Sequence, residues 1–337
     1  MRVPREGWTA VPDGTRSVSA RRRPSDFDVA QMLAAEPPPL WPEPAPAVRP
    51  RIALATYDRA PTLAPDDQLL LPALAHAGID GEAAVWSDGS VIWETFDGVV
   101  IRSCWDYHLR IEEFRDWLDR LDASRLPVFN SIATVTWNSN KSYLHDLASR
   151  GVPTIETLIV PRGDVEQASL KIDALGSAKV VIKPAISASG HETHALSVPL
   201  GADGRATLRR VVDGSDVLLQ PFAEEVRRDG ELSLVFIGGS FSHSAVKRAS
   251  GDEFRVQAEH GGSVSPIDVS GDVIAQATKI VSTLDETPLY ARVDGILRDG
   301  QFVLMELELI EPHLFFSLAE GSADRFAEVL VERLKAF

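Results

Sequence analysis

Two glutamates, Glu306 and Glu308 in "VLMELELIEPHLFF" (residues 303–316), share one face of any extended strand, because side chains alternate with a period of two. Val303, Met305, Leu307 and Leu309 make the other face apolar, so the strand is packed. Two carboxylates side by side there repel each other and lose solvation. The pair is tolerable beside a cation, or on a half-exposed acidic face. The strand follows "LYARVDGIL" and the turn Arg298-Asp299-Gly300-Gln301, a hairpin signal. A three-residue loop, Asp299 to Gln301, sets Asp294 opposite Glu306 and Arg292 opposite Glu308. A two-residue Asp-Gly turn would instead put Asp294 on the other face. The three-residue loop is the expectation, and it gathers Asp294, Glu306 and Glu308 together. Carboxylate oxygens without His or Cys suit a hard cation, Mg²⁺ or Mn²⁺, rather than zinc. Mg²⁺ held by few carboxylates completes its shell with water and nucleotide phosphates.

Phosphate-binding parts should then exist elsewhere. In "KVVIKPAISASGHETH" a strand ends in Lys183 and is followed by Ser187, Ser189 and Gly190. Such a loop can lay N–H groups and hydroxyls on phosphate oxygens while the lysine supplies charge; a merely solvated lysine is the plainer alternative. Neither a G-x-x-x-x-G-K-[ST] loop nor a G-x-G-x-x-G after a strand is present. In "WNSNKSYL", Asn138, Ser139 and Asn140 can cap a helix whose N-terminus would receive an anion beside Lys141. "VKRASGDEFRVQAEHGGSV" carries Lys247, Arg248 and Arg255, a charge run that is either a solvated face or part of the chemistry. Arg102, Ser103, Trp105, Asp106 and His108 follow the apolar run "GVVI", and ligands of open α/β sheets lie beyond the carboxyl ends of strands. These five are the candidate contacts to a small substrate.

The elements that must position these groups are legible in outline. A chain of 337 residues with 44% hydrophobic content holds two or three domains. Its net charge of −15 argues against nucleic acid or an anionic membrane as partner. The single cysteine, Cys104, excludes an internal disulfide and fits a cytoplasmic location; without a Cys–His signature it reads as a core residue. No apolar run approaches the ~20 residues of a membrane span, and residues 1–49 lack a signal-peptide core. Seven prolines fall between residues 37 and 50, so residues 1–49 read as a disordered, Pro/Arg-rich tail. From 50 to 135, strands ("RIALATY", "AAVWS", "GVVIRS") alternate with helices (Asp66–Ala77, "RIEEFRDWLDRL"), which predicts a mainly parallel α/β domain. From 136 to 337 the pattern is α+β with antiparallel hairpins, including one through Gly238–Gly239, and a final helix from Ser322 to Lys335.

Taken in order, these pieces resemble the ATP-grasp superfamily over residues 130 to 320: a lysine at a helix start, strand–lysine–small loop, a hinge, then Arg-x-Asp with Glu-x-Glu. The resemblance implies a central lobe near 150–222 and a C-terminal lobe near 223–337. It implies that Lys141 and Lys183 bind the phosphates of ATP, that Gln220 and Phe222 border the adenine, and that Glu231 holds the ribose. It also implies that Arg292 stabilises an acyl-phosphate transition state, with Arg248 and Arg255 facing the γ-phosphate or the substrate carboxylate, and that Asp294, Glu306 and Glu308 hold magnesium. Two departures stand out: Glu308 where many members have asparagine, and Glu311-Pro312-His313 where others carry an oxyanion-site glycine. "WNSNKSYLHDLASRGVPTIET", "RSCWDYH", "GDEFRVQAEHGG" and "MELELIEP" are similar to the glutathione-synthetase-like branch, in particular to the cyclo-ligases that close O-ureido-serine. The implied activity is carbon–nitrogen ligation of an amino-acid-like small molecule through an acyl phosphate. Joining of two molecules and a silent nucleotide-binding module are the competing readings, and a homo-oligomer is left open.

Because the composition of residues 1–49 cannot repay the entropy of ordering, their deletion should leave the melting temperature and ATP-dependent turnover nearly unchanged. A drop of several degrees on thermal unfolding would show that the tail docks.

Overall fold

The structure, a computed structural model, describes residues 49–251, 253–256 and 261–336; the tail read over residues 1–49 lies, but for Arg49, outside them. Three sheets carry the described chain. The first is parallel, with strands β1 (Arg51–Thr56), β2 (Asp80–Val85), β3 (Gly98–Ser103) and β4 (Val128–Phe129) in the order β2-β1-β3-β4. β1 and β3 are apolar almost throughout because both faces of this sheet are covered. Along β1, Ile52 and Leu54 join one core with the helix Leu70–His76, while Ala53 and Ala55 join another with Phe114 and Trp117 of the helix Ile111–Ser124.

The central lobe is an antiparallel sheet, β5 (Leu158–Val160), β8 (Val217–Pro221), β6 (Lys179–Pro184) and β7 (His194–Ser197), in that order. Helices Val165–Ala174 and Ala202–Gly214 give it a core of its own around Ile172, Ile182 and Val212. The third sheet, also antiparallel, runs β11 (Ser263–Pro266), β10 (Ser240–Arg248), β9 (Glu231–Ile237), β12 (Tyr290–Arg298) and β13 (Gln301–Glu308). The helix Ser322–Leu334 buries Phe326 and Leu330 in the core that also holds Ile52, Leu54 and Tyr290. The first and third sheets therefore share one hydrophobic core.

The β12–β13 hairpin corrects one expectation and keeps its consequence. Arg298 pairs with Gln301, so the loop is the two-residue Asp299-Gly300 turn rather than a three-residue loop. Both residues have positive φ, 51° and 80°, as a primed turn requires. By itself this turn would send Asp294 to the face opposite the glutamates. A bulge intervenes: Gly295 pairs with Leu304 and Asp294 with Glu306, leaving Met305 as the extra residue. Asp294 thereby lies opposite Glu306, and Arg292 opposite Glu308. Gly295 is what allows the bulge to close, since a Cβ there would lie 2.5 Å from the Val303 carbonyl oxygen and 2.6 Å from the Phe302 ring.

Gly295→Ala should therefore lower stability by roughly 1–3 kcal/mol through overpacking, measured by urea unfolding. Gly89→Ala, whose Cβ would meet nothing within 4 Å, is the control and should stay within about 0.5 kcal/mol of the parent. Equal effects at the two positions would remove the bulge from the account of register.

Candidate active site

A cavity of 420 Å³, of the size that takes a nucleotide-like ligand, is lined from all three lobes: Trp105 and Tyr107 from the first, Lys183 and Gln220 from the second, Glu231 and Glu306 from the third. One end is apolar. Ile155, Val181, Phe222, Val226, Met305 and Leu307 line it. The Phe222 ring is fixed there by the Lys179 ammonium 4.1 Å from its centroid and by Phe254 at 5.9 Å, while its N–H donates to the Lys179 carbonyl. Gln220 is tied through Nε2 to the Thr157 hydroxyl. This slot fits a flat, aromatic ring.

The other end is charged, and its carboxylates are mostly answered in place. Lys141 Nζ lies 2.5 Å from Glu306, and it also donates to the Ser187 carbonyl at 2.7 Å. Lys247 bridges Glu231 at 2.6 Å and Asp294 at 2.8 Å. Arg292 forks across Asp294 and Glu308. Asp294, 0% exposed, also accepts from the Ser233 hydroxyl at 2.7 Å. Burial alone would raise its pKa, but Arg292 and Lys247 hold its carboxyl well below the usual range. Burial likewise works against Glu306, and Lys141 with Lys183 keeps it ionised. Glu308 goes the other way: burial, opposed by Arg292 and reinforced by Asp294 and Glu306, pushes it up to about 7. Glu311 is pushed up to about 8, by burial first and Glu308 next.

The expected metal-binding set is the trio Asp294, Glu306 and Glu308. Asp294, Glu306 and Glu308 share a face, but Lys141, Lys247 and Arg292 occupy their oxygens, and among the described residues no group of three is arranged to hold a metal ion. The donors still fit a hard cation in chemistry. They are oxygens only, and Glu306 and Glu308 stay partly open to the cavity they line.

Lys183 differs from every other lysine or arginine lining the cavity. It is 9% exposed and has no anionic partner within ion-pair reach among the described residues, and burial holds its pKa below the ordinary value. The loop beyond it, with Ser187, Ser189 and Gly190, lines the same cavity. Ser189 and Gly190 take positive φ, 50° and 68°, so the backbone curls as anion-binding loops do.

Other sequence-read residues fall in different places. Asn138 is no helix cap: its amide donates to the Leu307 carbonyl and accepts from the Leu309 N–H, replacing a neighbouring strand beside Glu308. Ser139 bonds back to Thr136, and only Asn140 receives the Ser142 N–H. Arg102, 0% exposed, is not a substrate contact, because it is enclosed beside Asp67 and the Pro312 carbonyl, outside the cavity lining. Ser103 serves the same buried Asp67, and Asp106 accepts from the Trp86 indole. Trp105 does line the cavity, donating to the Glu311 carbonyl at 3.1 Å. His108 sits behind it, its ring 5.3 Å from that of His191 on the lysine loop. Arg248 is exposed at the end of β10 and outside the cavity lining, whereas Arg255 lines it in a pair with Glu253. Tyr107, Tyr143, Glu311 and His313 are cavity residues that the sequence reading did not assign. Only the Glu311-Pro312-His313 departure pointed toward two of them.

Three comparisons bear on this geometry. Residues 52–130 match the family profile described as the D-cycloserine synthetase DcsG, N-terminal domain. The chain is 33% identical to the cycloserine biosynthesis protein DcsG of Streptomyces lavendulae over 280 residues, covering 79% of this chain and 93% of that protein. The crystal structure of D-cycloserine synthetase DcsG superposes with a TM-score of 0.77 at 31% identity, covering 84% of this chain and 99% of that one. A D-alanine–D-alanine ligase from Bacillus anthracis shares the fold at a TM-score of 0.60 and 13% identity, covering 85% of this chain and 97% of its own.

The raised pKa of Glu308 has a thermodynamic sign. The folded carboxyl keeps its proton up to about 7, while an unperturbed one releases it near 4.5. Folding thus favours the protonated form across that window, and this group withdraws stability as pH rises through it. In nucleotide-free protein the melting temperature of Glu308→Gln, relative to the parent, should climb by a few degrees between pH 5 and pH 8. A difference that stays flat across that range would dismiss the assignment.

Proposed function

The chain belongs to the cycloserine synthetase family of ATP-grasp ligases, and from that premise we propose that it is a cyclo-ligase acting on O-ureido-serine or a close relative. The observation that carries the reading is Lys183, a buried ammonium without an anionic partner among the described residues, facing a cavity whose far end is apolar. The apolar slot at Phe222 and Met305 takes the adenine of ATP, and Glu231, within reach of it on β9, takes the ribose. Lys183, with the Ser187–Gly190 loop, binds the phosphates.

A carboxylate oxygen of the substrate attacks the γ-phosphorus, the bond to the bridging oxygen breaks, and ADP leaves. The acyl phosphate so formed is attacked at carbon by a nitrogen of the same molecule. That nitrogen gives up a proton, the carbon–oxygen bond to phosphate breaks, and the ring closes. Glu306 and Glu308 would hold Mg²⁺, with Asp294 as third carboxylate on that face, and the ion would supply charge neutralisation at the phosphates. Arg292 is held by Asp294 and by the His313 carbonyl, so its guanidinium stands ready for the charge that develops on the transferring group. Lys141, fixed between Glu306 and the Ser187 carbonyl, ties the loop to the acidic strand. No side-chain nucleophile is required, and Cys104, fully buried with its thiol pKa raised by burial, is not one.

The test is ADP release with O-ureido-serine as sole carboxylate, with products counted by mass spectrometry. One cyclic product per ADP supports the reading; a requirement for a second amino acid overturns it. Lys183→Ala should lower this ATP-dependent turnover at least ~10-fold, since a charge-assisted phosphate contact is worth roughly 1.5–3 kcal/mol. Full ADP release by that variant would place the phosphates elsewhere.

A further inference from the structure

Among the described residues, the cavity sets a carboxyl group without a basic partner, Glu311, against an ammonium without an acidic one, Lys183. Glu231, Glu306 and Glu308 each have a lysine or arginine partner, whereas the Glu311 carboxylate lines the same cavity with none among the described residues. The backbone that carries it is held in position. Four successive carbonyls of its loop each accept a side-chain hydrogen bond: Ile310 from the Tyr290 hydroxyl, Glu311 from Trp105 Nε1, Pro312 from Arg102 Nη2 and His313 from Arg292 Nη1. Trp105 belongs to the first lobe and Arg292 to the third, so Glu311 stands where those lobes meet, beside the reactive charge of Glu308 and Arg292. A half-buried carboxyl group lining the cavity without a basic partner is costly to ionise unless a ligand answers it.

We propose that Glu311 is the specificity-determining residue that receives the ammonium group of the substrate. The inference rests on the ligase reading above and adds to it which group of the substrate is recognised, and where. The geometry divides the work by charge: Lys183 meets the anionic phosphates, Glu311 meets the cationic end of the amino acid, and the carboxylate to be activated lies between them near Arg292. Burial and Glu308 raise the Glu311 pKa; an arriving ammonium restores its charge, so binding is coupled to ionisation. A glycine at this position, as in the oxyanion sites of other ATP-grasp enzymes, offers no such partner.

The experiment compares kcat/KM for ADP release with O-ureido-serine and with its des-amino counterpart, in the parent, Glu311→Gln and Glu311→Asp. A charged hydrogen bond of roughly 1.5–3 kcal/mol corresponds to about 10- to 100-fold, and the parent should favour the amine-bearing substrate by at least that much. Glu311→Gln should lose this preference mainly through KM, leave turnover of the des-amino compound and the Mg²⁺ half-saturation in place, and be partly rescued by Glu311→Asp. A preference that survives in Glu311→Gln overturns the proposal. So does an equal loss on both substrates that follows Mg²⁺ half-saturation, which would make Glu311 a metal ligand. If the parent ignores O-ureido-serine but uses another amine-bearing acid, the substrate named above falls. The Glu311 ratio is then read on that acid and its des-amino form, and it supports or sinks this inference by the same criterion. Activity with des-amino acids alone would overturn it outright.

Discussion

Everything in the cleft depends on one run of opposite charges buried together on the face of β9, β10, β12 and β13. Glu231, Lys247, Asp294, Arg292 and Glu308 alternate in sign, and Lys141 closes the line at Glu306. In a low-dielectric setting each member is affordable only because the next one is present. Deleting one leaves a stranded charge, so the array holds side chains in position more than it adds stability. It also keeps the cleft polar without filling it with water-exposed carboxylates. The groups left outside the array, Lys183 and Glu311, are the ones with charge to offer a ligand.

Much of this fold was legible because local signals agreed with the global arrangement. The apolar runs of β1 and β3 read as parallel strands since both faces are covered, and the glycine pair at 238–239 read as a turn because both residues sit at positive φ. The β12–β13 hairpin shows the limit. The Asp-Gly turn indicates a two-residue loop, yet register is decided five residues away at Gly295, where only the packed neighbour Phe302 explains the bulge. The central lobe's helices escaped notice for a different reason. In Ala202–Gly214 only Leu208, Val211 and Val212 are buried, too few apolar residues to stand out from a charged stretch.

Residue type and spacing were enough to single out Lys141, Lys183, Arg292, Glu306 and Glu308, which all line the cavity; all but Lys141, in the turn before a helix, sit on strands whose direction the pattern reveals. What spacing cannot show is which polar groups are spent on the protein itself. Arg102 looked like a substrate contact and is enclosed beside Asp67, 35 residues earlier, and the Pro312 carbonyl, 210 residues later. Asn138 looked like a cap and serves a strand 169 residues further on. Both are ordinary polar side chains whose partners arrive only with the tertiary fold. Glu311 is the converse: a residue noted as a departure, whose meaning came from finding its carboxylate unanswered.

The shared core of the first and third sheets has a mechanical consequence. Parting those two lobes would tear Tyr290 and Phe326 away from Ile52, Leu54 and Leu74, exposing large apolar surfaces at once. The central lobe keeps Ile172, Ile182 and Val212 in a core of its own, while Ala185 and Leu218 join Leu234 and Leu304 in a core with the third sheet. It is attached through the chain near Ile155, which bonds Leu304, and through the stretch from Ala223 to Gly230. The first and third sheets are thus joined through a core that both fill, whereas the sheet carrying Lys183 meets the third through a smaller set, Ile159, Ala185 and Leu218. The wall bearing Glu311, Trp105 and Arg292 is therefore built across the seam that this shared core holds together.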